Sequence, residues 1–525
     1  MSEVETIWQG IHQQLSGSRE AFEANLENTQ QVQQKVLLQI LKNNAQTPFG
    51  MEYQFSDIHS AEAFIQGVPV HNYQDCRPYL ENLAKDADTD VLCFEKTGGS
   101  TQGVKLIPYT VASLALFQEA LFPWFDDLLE HRPNIKKGTA YWSISPAMRE
   151  TQTTAGGHPI GLSNDALYFG EALAYEISQM LAVSPQVVAL TKLSDWRYQT
   201  LLALLLAEDL SFISVWSPTF LLSLINGLPF LIDKLLDDIE VQDKSRASHL
   251  RTIIKQSKNT TADQKINTQA IWPQLDTLSC WTEGSAGSFI AELKALFPHV
   301  YIQGKGLLAT EGVVTIPLHN AKAAVLAINS GFYEFVDEDG DCQLAHQLQL
   351  GQRYSVLITN ESGLYRYQLG DKVRMEGFYL GAPMLHFMGR GAHCSDLCGE
   401  KLTEDFIVDV FEQYSKRSNN LGSIRFLYPE ASPTLHYVLV TETDIDEADC
   451  KHLDELLGEN PQYRYARDIG QLGALQHRAI NDIGERYTQW RLQKGQTLGD
   501  IKPPALITDT DFINELRTCV VSDLS

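Results

Sequence analysis

Along residues 30–44, "QQVQQKVLLQILKNN" sets Val32, Val36, Leu37, Ile40 and Leu41 at near-helical spacing, and the first 90 residues read as mainly helical. "VPVHNYQDCRPYL" (68–80) is interrupted by Pro69 and Pro78 and reads as an irregular connection. The β-prone run "DVLCF" (90–94) then leads into a glycine-rich turn. "TVASLALFQEALFPWFDDLL" (110–129) has the length and pattern of a buried helix.

From 138 to 320 the texture alternates. "TAYWSIS", "SFISVW" and "HVYIQG" are short β-prone runs, and "TFLLSLINGLPFLIDKLLDDI" (219–239) is helical, which predicts an α/β layer with parallel strands. Between 323 and 375, "AAVLAINSGFYEFV", "RYSVLITN" and "LYRYQLGDKVRMEGFYL" are strands in succession, predicting an attached antiparallel sheet or small barrel. "FMGRGAH" (387–393) flanks Arg390 with two glycines, a hinge pattern, and the remainder reads as a small α+β domain. The expected division is 1–390 and 391–525.

Composition narrows the chemistry. A chain of 525 residues exceeds one core. Its formal net charge of −25 repels nucleic-acid phosphates and anionic lipid, with no basic run to override it. The longest strongly apolar run, "LLALLLA" (201–207), is far short of a membrane span. With eight scattered cysteines and no secretory pattern at the Met1 end, a reduced cytoplasmic setting is expected. Cys394 and Cys398 beside His393 lack a second ligand pair at zinc spacing and read as structural.

Four segments carry candidate chemistry. "FEKTGGSTQGVKLIPYT" (94–110) fits neither the P-loop, since Val104 follows Gly103, nor the dinucleotide fingerprint, since Gly98 and Gly99 are adjacent. Its glycines and hydroxyls could still converge donors on an anion, or form an ordinary turn. In "GKGLLATEGVV" (304–314), Glu311 after Thr310 makes sense beside phosphate only with a divalent cation between them; otherwise it is an exposed turn. In "GLYRYQLGDKV" (363–373), Asp371 follows Gly370 after a strand and could accept from two ribose hydroxyls, or simply cap a turn. In "LGDIKPPAL" (498–506), Pro503 and Pro504 stiffen the segment behind Lys502.

In this order the four segments resemble the acyl-adenylate-forming superfamily. The match is closer to the Gretchen Hagen (auxin-responsive promoter) family of acyl-acid amido synthetases. "LLQILKNNAQTPFG" and the following stretch resemble its opening, "GFYEFV…LQLGQRYSVLITNESGLYRYQLGD" its central strands, and "LDELLGENPQYRYARDIGQLGAL" with "GDIKPP" its closing domain. The resemblance implies the acyl-adenylate-forming fold: a large N-terminal α/β domain, an attached β-barrel-like subdomain and a small mobile α+β C-terminal domain. It implies an ATP- and magnesium-dependent ligase that adenylates a carboxylic acid and passes the acyl group to an amino acid or amine. Thr97, Gly98, Gly99, Ser100 and Thr101 would hold the ATP phosphates. Thr310 would face the reacting carboxylate and α-phosphate, and Glu311 the magnesium. Asp371 would bind the ribose, Arg390 would stand at the hinge by the nucleotide, and Lys502 would arrive with the C-terminal domain.

The chain departs from the pattern at Gly98, where relatives place Ser, and at Leu307, where many place an aromatic against adenine, leaving packing without stacking. It also carries Ala392 in place of a polar residue and Ala505 in place of an arginine. For the acid pocket, "YWSISPAMRETQTTAGGHPIG" (141–161) offers Trp142 and Arg149, with Trp216 and Trp281 as further walls or as plain core. His158 reads as structural. The alternatives are an acyl-CoA synthetase with a thiol acceptor and a non-catalytic acyl-acid-binding protein.

Overall fold

The structure is a computed structural model. It describes residues 2–87, 89–96, 105–142, 152–162, 165–184, 186–187, 190, 192–260, 266–390, 394–398, 400–416, 424–431, 434–468 and 471–522. The helical opening is as the periodicity predicts. Glu3–Leu15 starts from a Ser2/Glu5 capping box and buries Trp8, Ile11 and Leu15, while Thr29–Asn43 buries Leu37, Ile40 and Leu41. The proline-broken stretch is different from its reading. Tyr73–Lys85 is a helix that carries Pro78 inside it. The Asn72 side chain accepts from Gln74 N and Asp75 N, and Asp75 accepts in return from Asn72 N. A strong cap close to the start offsets the one backbone hydrogen bond that Pro78 removes.

Four short strands form the parallel sheet, in the order Ala140–Trp142, Phe212–Ser214, Thr277–Cys280 and Tyr301–Gly304. Their register aligns Ala140, Phe212, Thr277 and Tyr301 in one row, so their carboxyl ends open on one side. The helical run over 219–239 folds as two helices, Pro218–Asn226 and Leu228–Gln242, bent by 63°. Pro229 in the first turn of the second helix cannot continue the ladder of the first. Among the described residues no single helix is long and apolar enough to cross a membrane.

Residues 315–390 form a seven-stranded antiparallel sheet, as the succession of strands predicts. Its longest hairpin joins Tyr367–Tyr379 to Ala382–Arg390. Arg366 enters this hairpin at φ 47° and is buried against Glu334, with Nε and Nη2 donating to the carboxylate at 3.0 and 2.8 Å. Its Nη1 donates to Ile65 O and Val68 O, tying an N-terminal helix end to the sheet.

The C-terminal sheet, Ile424–Glu430, His436–Thr441 and Gln476–Ala479, is flanked by helices including Glu404–Ser415 and Ile483–Gln493. Glu404–Ser415 docks on the antiparallel sheet through charge. Asp409 meets Arg353 and Arg374, Asp405 meets Lys372 at 3.2 Å, and His386 lies between Glu412 at 3.2 Å and Glu283 at 3.3 Å.

Burial disfavours the His386 imidazolium, but the two carboxylates outweigh it and the group is pushed up to about 10. With the folded value raised, its stabilisation is full below about pH 6.5 and fades as the pH climbs. His386→Gln therefore lowers the thermal midpoint most at about pH 6.5 and just below, and the gap to wild type closes toward pH 10. A gap of constant size over that range contradicts this.

Candidate functional site

The glycine loop joins two antiparallel strands, Val91–Lys96 and Leu106–Thr110, whose last register pair before the turn is Lys96 with Leu106. Thr97, Gly98, Gly99, Ser100 and Thr101 lie outside the described residues. What leaves the loop is described. Lys105 Nζ donates to Tyr367 Oη at 3.1 Å and faces the Tyr73 ring. Tyr109 Oη donates to Thr310 O at 2.7 Å, across 201 residues of sequence. Burial pushes the Tyr109 phenol well above its ordinary range, so it stays a donor.

Thr310 and Glu311 form the two-residue turn between the strands Leu308–Ala309 and Gly312–Val313. Glu311 is buried, and its carbonyl accepts from Asn360 Nδ2 at 2.5 Å, at the end of the strand Arg353–Thr359. Asp371 is also buried. It lies within the strand Tyr367–Tyr379 rather than after it, and its backbone stands opposite Arg390. The segments leaving the glycine loop, bearing Thr310–Glu311 and leading to Asp371 are thus tied together by Tyr109, Asn360 and Lys105.

Gly306 sets the approach to that turn. It has φ 73°, and a Cβ there would stand 2.6 Å from Thr315 O. Gly306→Ala costs about 1–2 kcal/mol for the left-handed backbone alone, and the carbonyl collision displaces Lys305 and Leu307 further. A lowered urea midpoint together with a slowed reaction is the expected result; an unchanged midpoint is the contrary one. Leu307 itself is buried in the apolar core, and its N donates to Thr315 Oγ1.

At the carboxyl ends of the parallel strands the side chains are aromatic and cationic. Such strand ends are where open α/β sheets bind ligands. The Trp216 and Trp281 rings lie 5.7 Å apart. Lys305, buried after the strand Tyr301–Gly304, donates from Nζ to Ser214 Oγ at 2.7 Å and faces Trp216 at 5.1 Å and Trp124 at 5.3 Å. On the other indole, Lys502 Nζ stands 3.7 Å from the Trp281 ring centroid. The late lysine is held there by its own domain. Ala505 N donates to Glu404 Oε1, Leu427 N to Ala505 O and Ile507 N to Leu427 O, so residues 505–507 pair through one parallel bridge with the strand Ile424–Glu430. Ala505 is buried in the C-terminal core.

Of the expected pocket residues, Trp142 packs in the core against Phe125 and Phe169. Arg149 lies outside the described residues, as do 391–393 of the expected hinge. His158 bonds Asp86 O at 2.7 Å, in keeping with a structural role. Sequence reasoning missed Tyr109, Asn360 and Lys305. The only signal was their polarity at the edge of apolar runs, in "LIPYT", "VLITN" and "GKGLL".

Comparison with known proteins places this arrangement. Residues 18–302 match the GH3 family N-terminal domain, 324–390 the GH3 family central domain and 406–511 the GH3 family C-terminal domain. The indole-3-acetic acid-amido synthetase GH3.4 of Arabidopsis thaliana is 22% identical, over 94% of this chain and 92% of its own. The solved structure of AtGH3.15 acyl acid amido synthetase in complex with 2,4-DB superposes with a TM-score of 0.81 at 19% identity, covering 97% of this chain and 96% of that one. A 2-hydroxyisobutyryl-CoA ligase in the postadenylation state with 2-HIB-AMP shares the fold at a TM-score of 0.53 and 12% identity, over 93% and 92% of the chains. The fold is that of the acyl-adenylate-forming ligases, and the chain belongs to the GH3 family.

Proposed function

We propose that the protein is an ATP-dependent ligase that activates a carboxylic acid as its adenylate and transfers the acyl group to the amine of an amino acid. In the first step a carboxylate oxygen bonds to the α-phosphorus of ATP, the bond to the β-phosphate oxygen breaks, and pyrophosphate leaves. In the second, the amine attacks the acyl carbon, AMP leaves and the nitrogen loses a proton. Both steps ask the protein mainly to position anions and to neutralise charge at the phosphate. The observation that carries the reading is the convergence of the Thr310–Glu311 turn with the strands from the glycine loop and toward Asp371, through Tyr109, Asn360 and Lys105.

In this reading Thr97 to Thr101 cradle the phosphates, Thr310 meets the acid and the α-phosphate, and Leu307 packs on the adenine. Asp371 takes the ribose, Arg390 contacts the nucleotide, and Lys502 brings a cation over Trp281. Trp142, Arg149 and Trp216 belong to the acid side. Magnesium fits the donor set. Among the described residues no group of three or more His, Cys, Asp or Glu could hold a cation. A buried carboxylate at Glu311 suits an ion carried mainly by phosphate oxygens and water. When bound, magnesium adds charge neutralisation on those oxygens.

Supplying coenzyme A in one reaction and a panel of amino acids in another, with the same acids, tests the acceptor. Amide products support the reading, thioester alone would replace it with an acyl-CoA synthetase, and neither product with any acid leaves only an acid-binding protein.

A further inference from the structure

The hairpin that carries Thr310 and Glu311 has little of its own to hold it in place. Its strands, Leu308–Ala309 and Gly312–Val313, share two register pairs, Ala309 with Gly312 and Leu308 with Val313, and an isolated two-stranded hairpin is at best marginally stable in water. Side chains from distant segments meet its carbonyls instead. Thr310 O accepts from Tyr109 Oη at 2.7 Å and Glu311 O from Asn360 Nδ2 at 2.5 Å, while Val313 O accepts from Ser330 Oγ at 3.2 Å and from Tyr333 Oη. Tyr109 and Asn360 are each 4% exposed, and a hydrogen bond shielded from water holds more firmly. Both donors are themselves fixed. The Tyr109 ring lies edge to face with Tyr168 at 5.7 Å and 6.1 Å from Phe117. Asn360 N donates to Leu364 O and Asn360 Oδ1 accepts from Ser362 N, both at 2.9 Å, which leaves Nδ2 for the turn. Gly312 admits the close approach: a Cβ there would stand 2.6 Å from Ile358 Cδ1.

We propose that Tyr109 and Asn360 are positioning residues for the reaction: by holding the carbonyls of Thr310 and Glu311 from two sides, they fix the direction in which that turn presents its side chains. The inference rests on the adenylation reading above, and it asks neither residue to touch substrate. A peptide unit is planar, so pinning its carbonyl also sets the N–H that follows and the Cα on either side. Two successive pinned carbonyls therefore define the whole turn, which its two-pair ladder does not. The two donors come from different parts of the fold, the strand Leu106–Thr110 that leaves the glycine loop and the end of the strand Arg353–Thr359 in the antiparallel sheet. A misplacement of about 1 Å at a reacting group can cost about 10²-fold in rate. The loss of either donor is thus felt at the chemical step, whereas ATP and acid, held by other groups, still bind.

Tyr109→Phe removes one hydroxyl and keeps the ring. Asn360→Asp keeps the shape and the acceptor for Ser362 N but loses the amide donor; should it not fold, Tyr109→Phe serves alone. Each variant is measured for kcat and KM in ATP–pyrophosphate exchange, with the best wild-type substrate from an acid panel that includes benzoate, 4-hydroxybenzoate, hexanoate and adipate. Amide hydrogen exchange of the segment 308–313 is followed by mass spectrometry on the same samples. The expected result is a kcat lower by about 10–10²-fold with little change in KM for ATP or acid, and faster hydrogen exchange confined to 308–313. An unchanged kcat overturns the positioning role even if the segment exchanges faster. A loss of rate accompanied by faster exchange throughout the molecule, or carried by KM alone, also overturns it, because that is general destabilisation or lost binding. Absence of pyrophosphate exchange by wild type with every acid overturns the adenylation reading instead. Hydrogen exchange then decides the two donors by itself: acceleration at 308–313 supports their hold on the turn, and unchanged protection refutes it.

Discussion

Lys502→Ala is expected to slow acid-dependent ATP–pyrophosphate exchange by about 10²–10³-fold, the effect of removing one preorganised charge contact from a transition state. The protein carries a formal net charge of −25, so cations at the reacting phosphate have to be supplied locally. Lys502 is suited to that task by its mounting. The strand-like segment 505–507, bonded to Leu427 and Glu404, and the two prolines at 503 and 504 fix its backbone, and the Trp281 face holds the ammonium at the strand ends. In the proposed reading this contact is made at the transition state, so the loss should fall on kcat with little change in KM for ATP. An exchange rate equal to wild type would remove Lys502 from the adenylation step.

The largest expected stability effect lies away from the reacting groups. Arg366→Met leaves the 1%-exposed Glu334 carboxylate without its partner and strips the donor from Ile65 O and Val68 O. Breaking a buried pair from one side costs about 3–5 kcal/mol, whereas replacing both members by apolar residues is often near neutral. The thermal midpoint should therefore drop strongly in Arg366→Met and recover in part when Glu334→Leu is added. Equal midpoints for the single and the double variant would show that the ion pair is not what holds the N-terminal helices to the sheet.

Arg366 also shows where reading the sequence stops. The stretch "LYRYQLGD" is among the most specific marks of the family, yet nothing local says that its arginine is structural while its aspartate faces a neighbouring strand end. Its partners are Glu334, 32 positions earlier on another strand of the same sheet, and residues 65 and 68, 301 and 298 positions earlier. Three of the four parallel strands were legible as short β-prone runs, whereas Thr277–Cys280, with Thr277 and Ser279 among its four residues, was not; the antiparallel sheet was legible because its strands follow one another. The helix Tyr73–Lys85 was hidden because Pro78 outweighs a cap in local reasoning, although the cap at Asn72 was written in the residues. Asp371, Thr310, Glu311 and Lys502 stood out as polar residues at punctuated positions. Tyr109 and Lys305 did not, since their meaning comes from carbonyl and indole partners that only the fold supplies.

The central claim is that a carboxylic acid is activated on the α-phosphorus of ATP, and the nucleotide product reports this directly. The protein incubated with α-labelled ATP, an acid panel and an amino acid panel should release label as AMP, in step with pyrophosphate and only when an acid is present. Label appearing as ADP with free phosphate would mean attack at the γ-phosphorus, and would contradict the account.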